Sequence, residues 1–122
     1  MTDKAEIKNI LKELMRRAQD IEGCSIISRD GLTIAAEVMA ETEKHTFSAL
    51  SAELTRSGEI LASELKIGPL HEIIINSTEG NIVTKELGKK AFLVGLVKKK
   101  ANIGLVLLHM NRVTSRLARY LR

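Results

Sequence analysis

Seven consecutive residues, Ala91-Phe92-Leu93-Val94-Gly95-Leu96-Val97, are apolar at every position. A strand with one wet face alternates polar and apolar side chains, and this run has no polar side to show water. As a strand it must be covered on both faces, which places it centrally in a sheet flanked by helices on both sides. The chain has the size for such a core: 122 residues, a length that buries roughly 60–70% of the surface its unfolded form exposes.

The flanking segments supply the other strands and the covers. Ile7, Ile10, Leu11, Leu14, Ala18 and Ile21 recur at three- and four-residue spacing and predict a helix, with Asp3 and Glu6 as a capping box and Gly23 as its end. Two apolar-rich runs flank Asp30-Gly31, a pair suited to a tight type I′ turn, which predicts a hairpin. A long helix follows over about Glu43 to Lys66, with Thr42 as N-cap, a core stripe of Phe47, Leu50, Leu54, Leu61 and Leu65 with Gly58 on the same line, and Gly68-Pro69 as its stop. Leu70 to Ser77, Ile82 to Leu87 and the apolar run are joined by short turns, so the sheet is largely antiparallel. A last helix begins near Ala101 or Asn102, with Ile103, Val106, Met110, Val113, Leu117 and Leu121 on its apolar side and Arg112, Arg116, Arg119 and Arg122 opposite. The expected fold is α+β: a three-layer sandwich of order αββαβββα around a five-stranded, mostly antiparallel sheet, forming one domain over residues 1–122.

Chemistry is sparse. No phosphate-cradling glycine loop, nucleophile elbow or zinc-ligand spacing is present. His45, His71 and His109 are widely separated. The reading is of a non-enzyme without metal or cofactor. Cys24, the single cysteine, reads as a small buried hydrophobe, with a reactive thiol as the alternative. One cysteine allows no intrachain disulfide, which suits a reducing compartment. The first twenty residues lack an apolar signal core, and no apolar run is long enough to span a bilayer. These features point to a cytoplasmic protein.

Three surfaces invite partners. The outer side of the long helix carries His45, Ala49, Ala52, Arg56, Ile60 and Ser63; it is either a close-packing surface or an alanine-rich solvated face. Ile73-Ile74-Ile75 either lies inside the sheet or forms an apolar edge that pairs with a second chain. The arginines of the last helix, with Lys98-Lys99-Lys100 ahead of it, are either a solvated face or a patch for an anionic surface. The net charge is +4. With Phe47, Phe92 and Tyr120 the only aromatics, no stacking series accompanies the charge, so nucleic acid is not expected.

The stretch Ile21-Glu22-Gly23-Cys24-Ser25-Ile26-Ile27-Ser28-Arg29-Asp30-Gly31-Leu32-Thr33-Ile34-Ala35, with Ile103-Gly104-Leu105 at the head of the last helix, resembles the Roadblock / dynein-light-chain-seven domain family, the bacterial MglB proteins being near analogues. The resemblance spans essentially the whole chain. It implies a profilin-like sheet with the hairpin at one side and the Leu70–Ser77 strand at the other edge. In the family such edges pair across a two-fold axis, and the long helices meet on one face. That implies a homodimer through Ile73, Ile74, Ile75, Ala49 and Ala52. Members bind and regulate small Ras-like GTPases or scaffold larger complexes, which makes Arg56, Ile60 and Ser63 partner-contact candidates. The alternative function is a basic adaptor docking on an anionic membrane, nucleic acid or a larger complex through Arg112, Arg116 and Arg119.

Overall fold

The computed structural model describes residues 2–39 and 42–121; Arg122 of the arginine series lies outside them. Eight elements follow the expected order: α1 (Thr2–Arg17), β1 (Ile21–Ser28), β2 (Thr33–Val38), α2 (Lys44–Glu64), β3 (Glu72–Ser77), β4 (Gly80–Leu87), β5 (Ala91–Val97) and α3 (Ile103–Ala118). The strands form one sheet in the order β2-β1-β5-β4-β3, and every neighbouring pair is antiparallel. The wholly apolar run is the central strand. The hairpin strand β2 and the strand β3 are the two edges.

One face of the sheet carries α1 and α3. Alternate residues of the inner strands (Cys24 and Ile26 of β1, Val83 of β4, Leu93 and Val97 of β5) pack there against Ile7, Leu11 and Leu14 of α1 and Val106, Met110 and Leu117 of α3. The other face carries α2 over a much smaller apolar cluster of Ile27, Phe47 and Val94. The helix α3 starts where Asn102 caps it, its Oδ1 accepting from the Leu105 N–H at 3.1 Å.

Local expectations need correction at four places. The first helix ends at Arg17, and Gly23 lies inside β1, where a Cβ would come within 3.1 Å of Val38 Cγ1 and 3.6 Å of the Phe47 ring. Gly23 lets the Val38 side chain of the neighbouring strand close in on β1; it does not stop a helix. Asp3 sits in the first turn of α1 rather than ahead of it. The hairpin loop is not type I′: only Gly31 has a positive φ, +89°. The Gly31 N–H donates to the Ser28 carbonyl and the Ser28 N–H to the Leu32 carbonyl, a longer loop with one left-handed residue. The cap of α2 is Glu43, not Thr42; its carboxylate accepts from the His45 and Thr46 N–H groups.

The largest correction concerns α2. Its buried residues are Phe47, Ser51, Thr55 and Ala62. Of the expected core stripe only Phe47 is inside. Leu50, Leu61 and Leu65 are 62%, 60% and 61% exposed, and Leu54 is half-buried. The reason lies in the sheet. Beneath α2 it offers Gly23, Ser25 and Thr84 beside Ile27 and Val94; Phe47 packs on the two apolar residues, and the buried side of the helix continues with small side chains. Ser51 and Thr55 are two of these, the Thr55 hydroxyl donating to its own helix at the Ser51 carbonyl (2.8 Å). Ser25 Oγ and Thr84 Oγ1 are buried without a hydrogen-bond partner among the described residues. The helix rotates its best hydrophobes away from the sheet.

Candidate functional site

The rotation of α2 creates an apolar seam at the β3 edge. In a helix, residues three, four and seven apart share a side, so Leu50, Leu54 and Leu61 line up. On β3, Ile74 is 46% and Ile75 38% exposed, while Ile73 is half-buried. Gly58 joins the two elements: a Cβ there would lie 2.9 Å from Ile73 Cδ1 and 3.0 Å from Leu70 Cδ2. Its bare backbone lets β3 tuck beneath the helix, with Ile73 and Ile75 on the α2 side of the sheet and Ile74 on the other.

The strand's backbone is as open as its side chains. The Glu86 N–H donates to the His71 carbonyl at 2.8 Å. In an antiparallel ladder the bonded pairs recur every second residue. The register Ile73↔Thr84, Ile75↔Ile82 and Ser77↔Gly80 therefore points those residues' backbone groups at β4. The N–H and C=O groups of Glu72, Ile74 and Asn76 point off the free edge. By contrast, the edge strand β2 has Ala35 and Ala36 buried, since α1 and α2 close over it from either side.

The other residues singled out from the sequence are spread around α2. Ala49 is exposed and lines a cleft with Lys4, Lys8 and residues of β2, on the far side of the helix from β3. Ala52 is half-buried against the Ile27–Phe47–Val94 cluster. Arg56 lies over the hairpin loop, its Cδ 3.4 Å from where a Gly31 Cβ would stand. Ile60 projects outward, 52% exposed. Ser63 lines an open cleft of about 710 Å³ with Arg29, Glu59, His71 and Glu86. The fold brings Ile73, Ile74 and Ile75 together with leucines assigned to the core, and it places Ala49 and Ala52 elsewhere.

That cleft holds an ion-pair network with no short-range signal in the sequence. Arg29 Nη1 donates to Glu59 Oε1 at 2.6 Å, Nη2 to Glu86 Oε2, and Nε to the Lys89 carbonyl at 2.6 Å. The guanidinium lies 4.6 Å from the centroid of the Phe92 ring. His71 Nδ1 is 2.9 Å from Glu86 Oε1. The partners are 30 and 57 residues from Arg29. The network ties the hairpin end to α2, β4 and the β4–β5 turn. Its carboxylates are all engaged, so it reads as a fastening for the helix and not as a catalytic group.

Cys24 is fully buried, and burial first, then the Glu37 carboxylate, pushes its thiol up to about 12. A thiol so placed stays protonated and is a packing residue. Among the described residues no three His, Cys, Asp or Glu side chains cluster as metal ligands, and no helix is long and apolar enough to cross a membrane.

Comparison with known proteins agrees with this architecture. Residues 7–96 match the Roadblock/LC7 domain. Two uncharacterized proteins of Methanocaldococcus jannaschii are each 26% identical over 111 residues, covering 91% of this chain and 96% of theirs. The gliding protein MglB of Thermus thermophilus superposes with a TM-score of 0.80 at 23% identity, covering 98% of this chain and 91% of its own. A chain of the LokiProfilin1–rabbit actin complex superposes at 0.65 with 18% identity over 94% of this chain and 96% of its own, the profilin-like likeness of the sheet.

Proposed function

This chain belongs to the Roadblock/LC7 domain family, and we propose that it is a non-enzymatic, cytoplasmic, single-domain module that pairs with itself through β3 and presents the joined α2 helices to a small Ras-like GTPase. The observation that carries the reading is the open β3 edge beside an exposed leucine stripe. A bare strand edge with isoleucines on it is a template for another strand. Leucines more than half exposed on the adjoining helix are the apolar area that a stable interface needs.

The register follows from charge and backbone direction. With a two-fold axis through Ile74, the outward groups of Glu72, Ile74 and Asn76 meet those of Asn76, Ile74 and Glu72 on the second copy. Six backbone hydrogen bonds can form, and Glu72 faces an amide instead of another carboxylate. The sheets of the two copies then run on as one, and the Leu50–Leu54–Leu61 stripes face each other across the axis. In this arrangement Ile73, Ile74 and Ile75 with the leucines hold the dimer, while Ala49 and Ala52 lie further from the axis. The outward side of the paired helices, with Arg56, Ile60 and Ser63, is the surface left for the GTPase.

Proline at an outward-pointing edge position tests the pairing cleanly. Ile74→Pro removes a donor that β4 does not use, so the protomer keeps its ladder. Light scattering on a gel-filtration column should give twice the protomer mass for the parent and one protomer mass for Ile74→Pro, with unchanged helix content. A parent that elutes with single-protomer mass at tens of micromolar refutes the dimer. The GTPase reading is tested separately, by calorimetric titration of Ras-like GTPases from the same genome loaded with a non-hydrolysable GTP analogue. Ile60→Asp should abolish binding without changing the mass; absence of binding by any of them, or binding indifferent to Ile60→Asp, refutes that part alone.

A further inference from the structure

The charge of this protein is not spread evenly. Residues 2–17 and 103–121, the α1 and α3 layer, carry eight lysines and arginines against three acidic residues, whereas residues 18–102 carry ten against twelve. The excess positive charge therefore belongs to the α1 and α3 layer, with Lys4 and Lys8 at its border, in the cleft they share with β2 and α2.

Within that layer α3 contains no acidic residue. Its outward side is set by the buried line Val106, Met110, Val113 and Leu117. Leu105, Leu108, Arg112, Arg116 and Arg119 recur at three- and four-residue spacing on the opposite side. Leu105 and Leu108 are 48% and 46% exposed, and Arg112, Arg116 and Arg119 are exposed too. Lys12 and Arg16 are exposed on α1, and Arg17 lines the seam with Arg112 and Arg116. Two carboxylates lie at the seam: Asp20 lines a cleft with Leu105 and His109, and Glu13 is shared by Arg116 at 3.1 Å and Arg17 at 3.4 Å. The proton affinity of Glu13 is lowered by the Arg116 hydrogen bond first and by that arginine's charge second. Among the described residues, no carboxylate lies within ion-pair distance of Arg112 or Arg119.

We infer that the outer face of α3, with the adjoining cations of α1, docks on the surface of an anionic lipid bilayer. Two leucines at the start of the helix followed by three arginines on the same side form an interfacial helix surface. The leucines enter the headgroup boundary while the arginines, whose stems lie along it, reach lipid phosphates. A nucleic acid would engage the arginines but has no use for two half-exposed leucines, and the face offers no aromatic for base stacking. Seated this way, the protein turns α2 and the β3 edge away from the lipid. The inference stands apart from the GTPase reading and does not need it.

The test is co-sedimentation of the full chain with vesicles of phosphatidylcholine containing about one-third phosphatidylserine, against pure phosphatidylcholine. Binding should require the anionic lipid and fall steeply between about 0.1 M and about 0.5 M salt. Each cation near such a surface is worth about fivefold in partition, so Arg112→Glu with Arg119→Glu should cost at least about 25-fold. Leu105→Ser with Leu108→Ser should cost several-fold at low salt while the circular dichroism and elution volume stay those of the parent. A duplex DNA oligonucleotide is run in parallel. No sedimentation at low salt, binding that survives the arginine pair, or binding to duplex tighter than to vesicles and indifferent to the leucine pair each overturns the inference.

Discussion

Replacing Leu50 and Leu61 with alanine separates two readings of the long helix that the sequence leaves superposed. If these leucines were core, the double variant would lose about 4–10 kcal/mol of folding free energy, since buried Leu→Ala changes cost about 2–5 kcal/mol each. They are instead 62% and 60% exposed. Full burial of a leucine stabilises by about 2 kcal/mol, so the exposed fraction of each is worth about 1.2 kcal/mol if a partner covers it. A two-fold dimer uses four such side chains, about 5 kcal/mol together, or between three and four decades in the dissociation constant. Within the protomer the buried remainder of the two leucines is worth about 1.5 kcal/mol, partly offset by the better helix propensity of alanine. Sedimentation velocity over a concentration series reads the association, and urea unfolding of the monomeric species reads the fold. A dissociation constant within threefold of the parent's, or a loss of protomer stability as large as that of Leu93→Ala in the fully buried β5, would refute the reasoning.

Three other perturbations follow from the packing. Thr84→Val removes a buried hydroxyl that has no partner and keeps the shape, so it should raise stability by about 1 kcal/mol in urea unfolding. Arg29→Ala leaves Glu59 and Glu86 without their cation at a part-buried site and should cost about 2 kcal/mol, whereas Arg56→Ala, on the exposed side of α2, should cost under about 0.5 kcal/mol. The Cys24 thiol, pushed up to about 12 by burial, should react with a disulfide reagent at neutral pH only after unfolding. Because that proton is held more tightly folded than unfolded, its contribution is complete below pH 9 and declines as pH rises toward about 12; Cys24→Ala should flatten that alkaline decline in a series of urea midpoints.

The fold was legible wherever one strand or helix declared its own environment. The run from Ala91 to Val97 has no polar side and could only be central. The α3 stripe was readable because Val106, Met110, Val113 and Leu117 keep one line while the arginines keep to the other side, although Leu105 and Leu108 share that side with them. The helix α2 was not readable in the same way. Its leucines trace a better apolar line than Phe47, Ser51, Thr55 and Ala62, and periodicity alone selects the greasier line for the core. Where α2 meets the sheet is decided by the tertiary packing: Phe47 seats with Ile27 and Val94, and Ser51, Thr55 and Ala62 follow it inside. Gly58, on the same line as the leucines, was the local hint: it permits the close approach of β3 to α2. The open edge was legible as a choice, since Ile73-Ile74-Ile75 suits a border or an interior, and topology made the choice. Arg29 was not legible at all, because its carboxylates come from distant parts of the chain.

Amide exchange along β3 tests the self-pairing most directly. In a lone protomer the Ile73 and Ile75 amides, turned toward β4, are protected, and the Ile74 amide, turned off the edge, exchanges as fast as an exposed one. Pairing of two copies predicts that Ile74 is protected as strongly as its neighbours at high concentration and loses that protection in the Leu50→Ala/Leu61→Ala variant. An Ile74 amide that exchanges freely at every concentration, between two protected neighbours, would mean that the border of this sheet faces water and that no second copy joins it there.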